Sequence, residues 1–394
     1  MRDKYQKTMY ACFIGYIVQA IVNNFVPLLF LTFESNYNIP LSQITLLITL
    51  NFGIQLLVDL LSAAFVDKIG YRISVIIAHA LSALGLIGLT ILPELLGNAY
   101  AGIVVSVVLY AIGGGLIEVL ISPIVESCPS DNKEKAMSLL HSFYCWGHVT
   151  VVLISTIFFS FCGIENWKLM ALIWALVPIA NGIWFTKVPI APLLADGERG
   201  MSIGELCRNK IFWVLMLMMM CAGASEQGVS QWASTFAEMG LGVSKTVGDL
   251  AGPMAFAIFM GSSRAFYGKH GNNIDLDKFM IGSSILCVLS YLCISLAPSA
   301  FLSLIGCSIC GFSVGIMWPG SFSKAAAALR NGGTSLFALL ALAGDVGCSG
   351  GPALVGLVSD HAGGDLKRGI LAGVIFPLLL LAAIIVLRRK NSKA

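Results

Sequence analysis

Apolar runs of about twenty residues recur along the whole of this chain, and nothing else in it restricts the fold so strongly. They fall near 9–32, 44–66, 73–92, 102–125, 136–161, 169–186, 211–237, 249–267, 279–297, 301–322, 334–358 and 369–387. Glycine, proline and small clusters of charge separate them. Twelve such runs in 394 residues leave room for little besides the spans and their connections. Only 11% of residues are charged and 57% are hydrophobic, whereas soluble domains carry roughly 25% charged residues. That excludes a soluble enzyme, a disordered chain and a nucleic-acid binder. The net charge of +3 calls for no polyanionic partner. Nearly all 11 cysteines lie inside apolar runs, where a thiol serves as a small hydrophobe. Cys307 and Cys310 have CxxC spacing but no second pair beside them, which favours packing over metal. Met1–Thr8 is polar and basic, and the run after it is long enough to span, so no cleavable signal peptide is expected.

Orientation follows from lysine and arginine placement. With the N-terminus cytoplasmic, the inner segments, Arg264 included, hold twenty of the 24 basic side chains. Only Lys168, Lys245, Lys367 and Arg368 fall outside, so both termini are expected in the cytoplasm. The longest polar connection, 187–210, lies between runs six and seven. It divides the chain into an N-terminal six-helix bundle (1–186), a central cytoplasmic loop (187–210) and a C-terminal six-helix bundle (211–394). The halves also repeat. Gly115 and Pro123 in run four match Gly311 and Pro319 in run ten, Ser138-Leu139 matches Ser335-Leu336, and the turn glycine Gly70 matches Gly268. The offsets are 196, 197 and 198 residues, about half the chain. Three matches in register indicate a six-helix unit used twice.

The segment Asp67-Lys68-Ile69-Gly70-Tyr71-Arg72 resembles the D-x-x-G-x-R signature of the major facilitator superfamily. Arg264-Ala265-Phe266-Tyr267-Gly268-Lys269 resembles a degenerate second copy. The resemblance covers the whole chain. It implies an all-α polytopic membrane protein of twelve transmembrane helices in two six-helix bundles, moving solute by alternating access. It further implies a gate in which Asp67 meets the start of span eleven, Gly332-Gly333-Thr334-Ser335. Unpaired amides and the positive helix-dipole end gather there. Arg72 and Glu126 resemble the companion ion pair of that gate.

A charged side chain at mid-bilayer costs at least about 2.5–3.5 kcal/mol, so each one needs a reason. Asp59, Glu118, Glu226 and Asp345 lie well inside spans, and His148 is the most central histidine. Glu126, Glu238 and Asp249 lie near span ends. Asn51, Gln55 and Asp59 share one face of span two, which suits a polar seam between bundles. Span four reads Gly113-Gly114-Gly115-Leu116-Ile117-Glu118. No Walker lysine follows, so the glycines are read as permitting close helix contact. Glu118 has no basic residue within a turn. It must be protonated, hydrated in a cavity or paired across helices. Span five carries His141, Tyr144 and His148 on one face, and His148 is either a cavity residue or a hydrogen-bonded structural one. Span seven presents Glu226 and Ser230 on one face and Gln227, Gln231 and Ser234 beside it, followed by Trp232. Amides and a flat indole suit a sugar ring or another polyol. Trp318 would form an opposing wall; both tryptophans would also serve as interface-belt aromatics.

Three segments resemble the fucose–glucose permease group. They are Glu118 with Ser122-Pro123, then Met137-Ser138-Leu139-Leu140-His141-Ser142-Phe143, and the span-seven stretch with its acid and tryptophan. Two departures stand out. Ser122 occupies the usual asparagine position. In span one, Asn23-Asn24-Phe25-Val26-Pro27 lacks the aspartate expected after the asparagine pair of proton-coupled members. Coupling then falls to Glu118, to Glu226 or to a sodium site. The expected function is ion-coupled import of a small polar organic solute, with a sugar as one class, by a monomer in the cytoplasmic membrane. The alternative is a proton-driven exporter of drugs or metabolites. The expected solute contacts are Asn23, Asn24, Glu118, Tyr144, His148, Glu226, Gln227, Gln231, Trp232 and Trp318. The coupling ion is a proton or sodium, and no cofactor, metal set, catalytic group or nucleic-acid partner is expected. No nucleophile–base set and no His-Glu-x-x-His pattern supports an enzyme.

Overall fold

In hydrocarbon every backbone N–H and C=O must be bonded within the chain, and a long apolar run does this by becoming a helix. The computed structural model describes residues 2–39, 41–192, 200–233 and 250–391, and among them helices dominate and no strand occurs. Ten of the described helices are long and apolar enough to cross a membrane. Spans one and three to six contain Arg2–Asn24, Tyr71–Leu95, Ala99–Ser127, Lys133–Cys162 and Trp167–Phe185. Spans seven, nine and eleven contain Lys210–Ser230, Leu276–Leu296 and Gly333–His361. Leu41–Ile69 and Ala255–His270 occupy the places of spans two and eight.

Prolines and glycines set several ends. Span one stops at Asn24, and Pro27 sits in the first turn of a 3-10 segment, Val26–Leu29, that leads to a short helix Phe30–Tyr37. Proline lacks the N–H that would continue the ladder and restricts the residue before it. Gly70, at φ +88°, makes the turn between spans two and three in a conformation that side-chain-bearing residues rarely adopt. Span ten is two pieces, Ala300–Val314 and Met317–Ala328. Pro319 has no N–H to offer the Gly315 carbonyl four residues back, so that carbonyl stays open for another donor. Span twelve is likewise two pieces, Leu366–Gly373 and Ile375–Asn391.

The helices gather into two compact units. The first comprises Met1–Ser130, Phe143–Arg199 and Gly333–Ala338; the second comprises Asp131–Ser142, Gly200–Gly332 and Leu339–Ala394. Each unit therefore takes the first turns of one helix from the other half of the sequence. Within the first unit the triple glycine is a contact point. A Cβ on Gly113 would lie 2.6 Å from the Ala78 carbonyl oxygen, and one on Gly115 would lie 3.1 Å from the Gln55 Cα. Helix association in lipid rests on van der Waals packing, so such close backbone approach is what small residues supply. Phe25, Phe33, Tyr110 and Trp167 form part of the same unit's buried core, with Phe33 edge-on to Trp167 at 5.4 Å between ring centres.

Candidate functional site

Polar side chains of the first unit form a ladder across spans one, two and four. Gln19 and Asn23 stand one turn apart on span one, opposite the row Asn51, Gln55 and Asp59 on span two. The Asn23 Oδ1 accepts from Asn51 Nδ2 at 3.2 Å and from Gln55 Nε2 at 2.8 Å. One turn along, Gln19 Nε2 donates to Glu118 Oε2 at 2.5 Å, and one turn further the Tyr16 and Ser122 hydroxyls bond at 2.9 Å. Gln19, Asn51, Gln55 and Asp59 are all buried. The Gln19 Oε1 and Asn51 Oδ1 are buried without a hydrogen-bond partner. Asn51 and Gln55 of span two thus join span one within the first unit. Asn24, expected beside Asn23, turns back to the Ala20 carbonyl of its own helix at 2.8 Å. Tyr144 and His148 are half-buried on span five in the same unit, while Trp146 is exposed.

Span seven supplies a second chain of polar groups, in the second unit. Gln231 Nε2 donates to Gln227 Oε1 at 3.0 Å, and Gln227 Nε2 makes a long 3.5 Å contact with Glu226 Oε1. Glu226 Oε2 receives Arg264 Nη2 at 3.1 Å. Arg264 is 3% exposed, so its charge lies inside the protein. It was expected among the cytoplasmic loop charges, but span eight continues to His270 and carries Arg264 well within the helix. Its Nε takes the Gly315 carbonyl that Pro319 leaves open, at 2.8 Å, and its Nη1 reaches the His141 carbonyl at 3.2 Å. Glu226 is therefore an ion-paired acid.

The two tryptophans do not face each other as walls. Trp318 is buried with its ring edge where a Cβ on Gly344 would sit, and it lies edge-on to Phe322. Trp232 donates to the Pro352 carbonyl at 3.4 Å and lies near Gly356. These positions on span eleven are eight and twelve residues beyond Gly344, about 12–18 Å along a helix. Ser234, Glu238 and Asp249 lie outside the described residues.

Both signature segments meet the start of a fifth helix. Tyr71 hydrogen-bonds Thr334 at the beginning of span eleven, within the first unit. The side chain of Asp67 lies outside those described. The hydrogen bonds of Arg72 go to the carbonyls of Phe185 at 2.7 Å and Thr186 at 3.1 Å, which end span six. The expected pairing with Glu126 is not among them. A guanidinium at a helix C-terminus satisfies carbonyls that have no partner in their own helix. In the second unit Tyr267 donates to Glu134 Oε2 at 3.0 Å, and Ser138 Oγ donates to the Arg264 carbonyl at 2.8 Å. Asn132 adds a bond to the Gly271 carbonyl at 3.2 Å. Gln19 and the buried position of Arg264 were missed in the sequence. The i, i+4 spacing of Gln19 and Asn23 would have flagged the first, and Pro319, with its open carbonyl, the second.

Two units of long apolar helices, each carrying a chain of bonded polar groups, describe a multi-pass membrane protein. The chain matches the model of the Major Facilitator Superfamily over residues 11–352 and belongs to that family. Among solved structures it is similar to the E. coli fucose:proton symporter FucP, at 15% identity and a TM-score of 0.84, covering 98% of this chain and 99% of that one. The proton:xylose symporter XylE is 11% identical with a TM-score of 0.79, covering 96% of this chain and 95% of its own. The human organic anion transporter MFSD10 is 13% identical with a TM-score of 0.78, covering 96% and 99%. Identities this low speak for the fold alone. No curated protein matches the chain in sequence.

Proposed function

We propose that the chain imports a small polar organic solute, with sugars as the leading class, in symport with a proton. It acts by alternating access as a monomer in the cytoplasmic membrane, both termini inside. The observation that carries this reading is the bond from Gln19 to Glu118 at 2.5 Å, within a half-buried ladder of amides. A neutral amide stabilises the carboxylate without fixing its charge: it donates to the ionised form and, turned over, accepts from the protonated one. That is what a group taking up and releasing a proton requires. FucP and XylE, named as proton symporters of fucose and xylose, support the solute class and the ion. The amides of Gln227 and Gln231, with the Trp232 indole, offer the donors, acceptors and flat face that a sugar ring needs.

Sodium is the second reading. The partnerless oxygens of Gln19 and Asn51 are hard donors of the type that alkali cations take. Reconstituted vesicles separate the two. In a panel of sugars, amino acids, nucleosides and organic acids, Glu118→Gln should keep counterflow and lose uphill uptake driven by a pH gradient. Uphill uptake equal to the parent would remove Glu118 from coupling. Uptake driven by a sodium gradient alone would replace the proton.

A further inference from the structure

Arg264 is a buried cation whose partners come from three other spans. Its fork holds Glu226 of span seven at 3.1 Å, the Gly315 carbonyl of span ten at 2.8 Å and the His141 carbonyl of span five at 3.2 Å. Its own carbonyl receives Ser138 of span five at 2.8 Å. The His141 ring stacks on Phe322, 5.8 Å between centres, and Tyr267 one turn on from Arg264 holds Glu134. The first turns of span five are thus attached to span eight, and the attachment shares a guanidinium with an acid on span seven. A planar fork cannot tilt toward one acceptor without moving its other nitrogens.

We propose that Arg264 is a positioning residue that carries the state of the Glu226 carboxylate to the first turns of span five. With Glu226 charged and unoccupied, the carboxylate holds the fork where it also binds the His141 carbonyl. When hydroxyl groups of a solute claim the carboxylate, the fork follows the carboxylate and the bond to His141, the longest of the three, is lost. Residues 133–142 then loosen from the second unit, while span five runs on from Phe143 as part of the first. The relay rests on the reading that span seven faces the solute.

Amide hydrogen exchange on the purified full chain tests it without any solute, so that failure of the relay and failure of the solute assignment are separate results. The parent is compared with Glu226→Gln, Arg264→Lys and the double variant. Lysine keeps the charge for Glu226 but lacks the fork that reaches two carbonyls at once. Each single variant should raise exchange within 133–142 about tenfold, the effect of one hydrogen bond to a charged group, with span nine unchanged. The double variant should match Arg264→Lys alone, because Glu226 acts through the fork. Exchange of 133–142 that stays at the parent level in Glu226→Gln overturns the proposal. So do effects that multiply in the double variant, or a rise spread evenly over span nine as well, which marks a purely structural loss. If Glu226→Gln does not fold, Glu226→Asp keeps the charge and withdraws the carboxylate by one methylene. It should produce the same pattern, and its failure to do so is equally decisive.

Discussion

Glu118 and Glu226 are both acids inside apolar helices, one in each unit, and they are answered in opposite ways. Glu118 meets the neutral amide of Gln19; Glu226 meets the guanidinium of Arg264. Exchanging a proton at Glu118 turns over its hydrogen bond with the Gln19 amide. Doing so at Glu226 breaks an ion pair and strands a buried cation, which is costly. The sequence offers both acids as candidates for ion coupling, Glu118 first. On the proposed function the two acids divide the labour: a proton-exchanging acid in the first unit, and an ion-paired acid that orients Arg264 in the second.

The largest expected effect tests that division directly. Arg264→Ala leaves Glu226 without its cation and should cost about 3–5 kcal/mol of stability, whereas Gln19→Leu should cost only about 1–3 kcal/mol. Replacing both partners, as Arg264→Met with Glu226→Leu, should recover most of the loss. Equilibrium unfolding in detergent reads all four proteins, and equal losses for Arg264→Ala and Gln19→Leu would erase the contrast.

An intermediate effect separates the two signature segments. Tyr267 bonds a carboxylate and Tyr71 a hydroxyl. Tyr267→Phe should therefore lose about 1.5–3 kcal/mol and Tyr71→Phe about 0.5–1.5 kcal/mol. Cysteine accessibility near the starts of spans five and eleven would show which contact loosens. A greater loss at Tyr71 would reverse the ranking.

The smallest effect concerns span seven. Gln227→Ala and Gln231→Ala should each weaken solute binding about threefold to tenfold, with unfolding temperatures near the parent. Trp318→Ala, deep against Gly344, should instead lower stability. Unchanged affinity at both glutamines, measured by calorimetry with whichever sugar the vesicle panel selects, would move the solute elsewhere.

Much of the architecture was legible because lipid imposes it. Run length, the turn at Gly70 and the close approach at Gly113 and Gly115 all follow from local chemistry, whereas the break after Asn24 falls inside the run 9–32 expected as one span. What the sequence could not supply was the register between helices. The choice of Arg72 between Glu126 and the carbonyls at Phe185 and Thr186 depends on where span six ends in space. The separation of Trp232 from Trp318 depends on how far span eleven slides past both. Arg264 was misplaced for a related reason: the boundary between helix and loop is blurred where basic residues cluster. Gln19 went unseen although its i, i+4 spacing to Asn23 puts both amides on one helix face.

The first unit needs residues 333–338 and the second needs 131–142. A ribosome completes everything else of the first unit more than a hundred residues before it reaches Gly333. The place for Thr334 beside Tyr71 therefore stays unfilled until nearly the whole chain has emerged. The bond from Tyr71 to Thr334 is thus among the last contacts of the first unit that synthesis makes possible. A fragment cut after span six would lack that bond and the six residues of span eleven that group with the first unit.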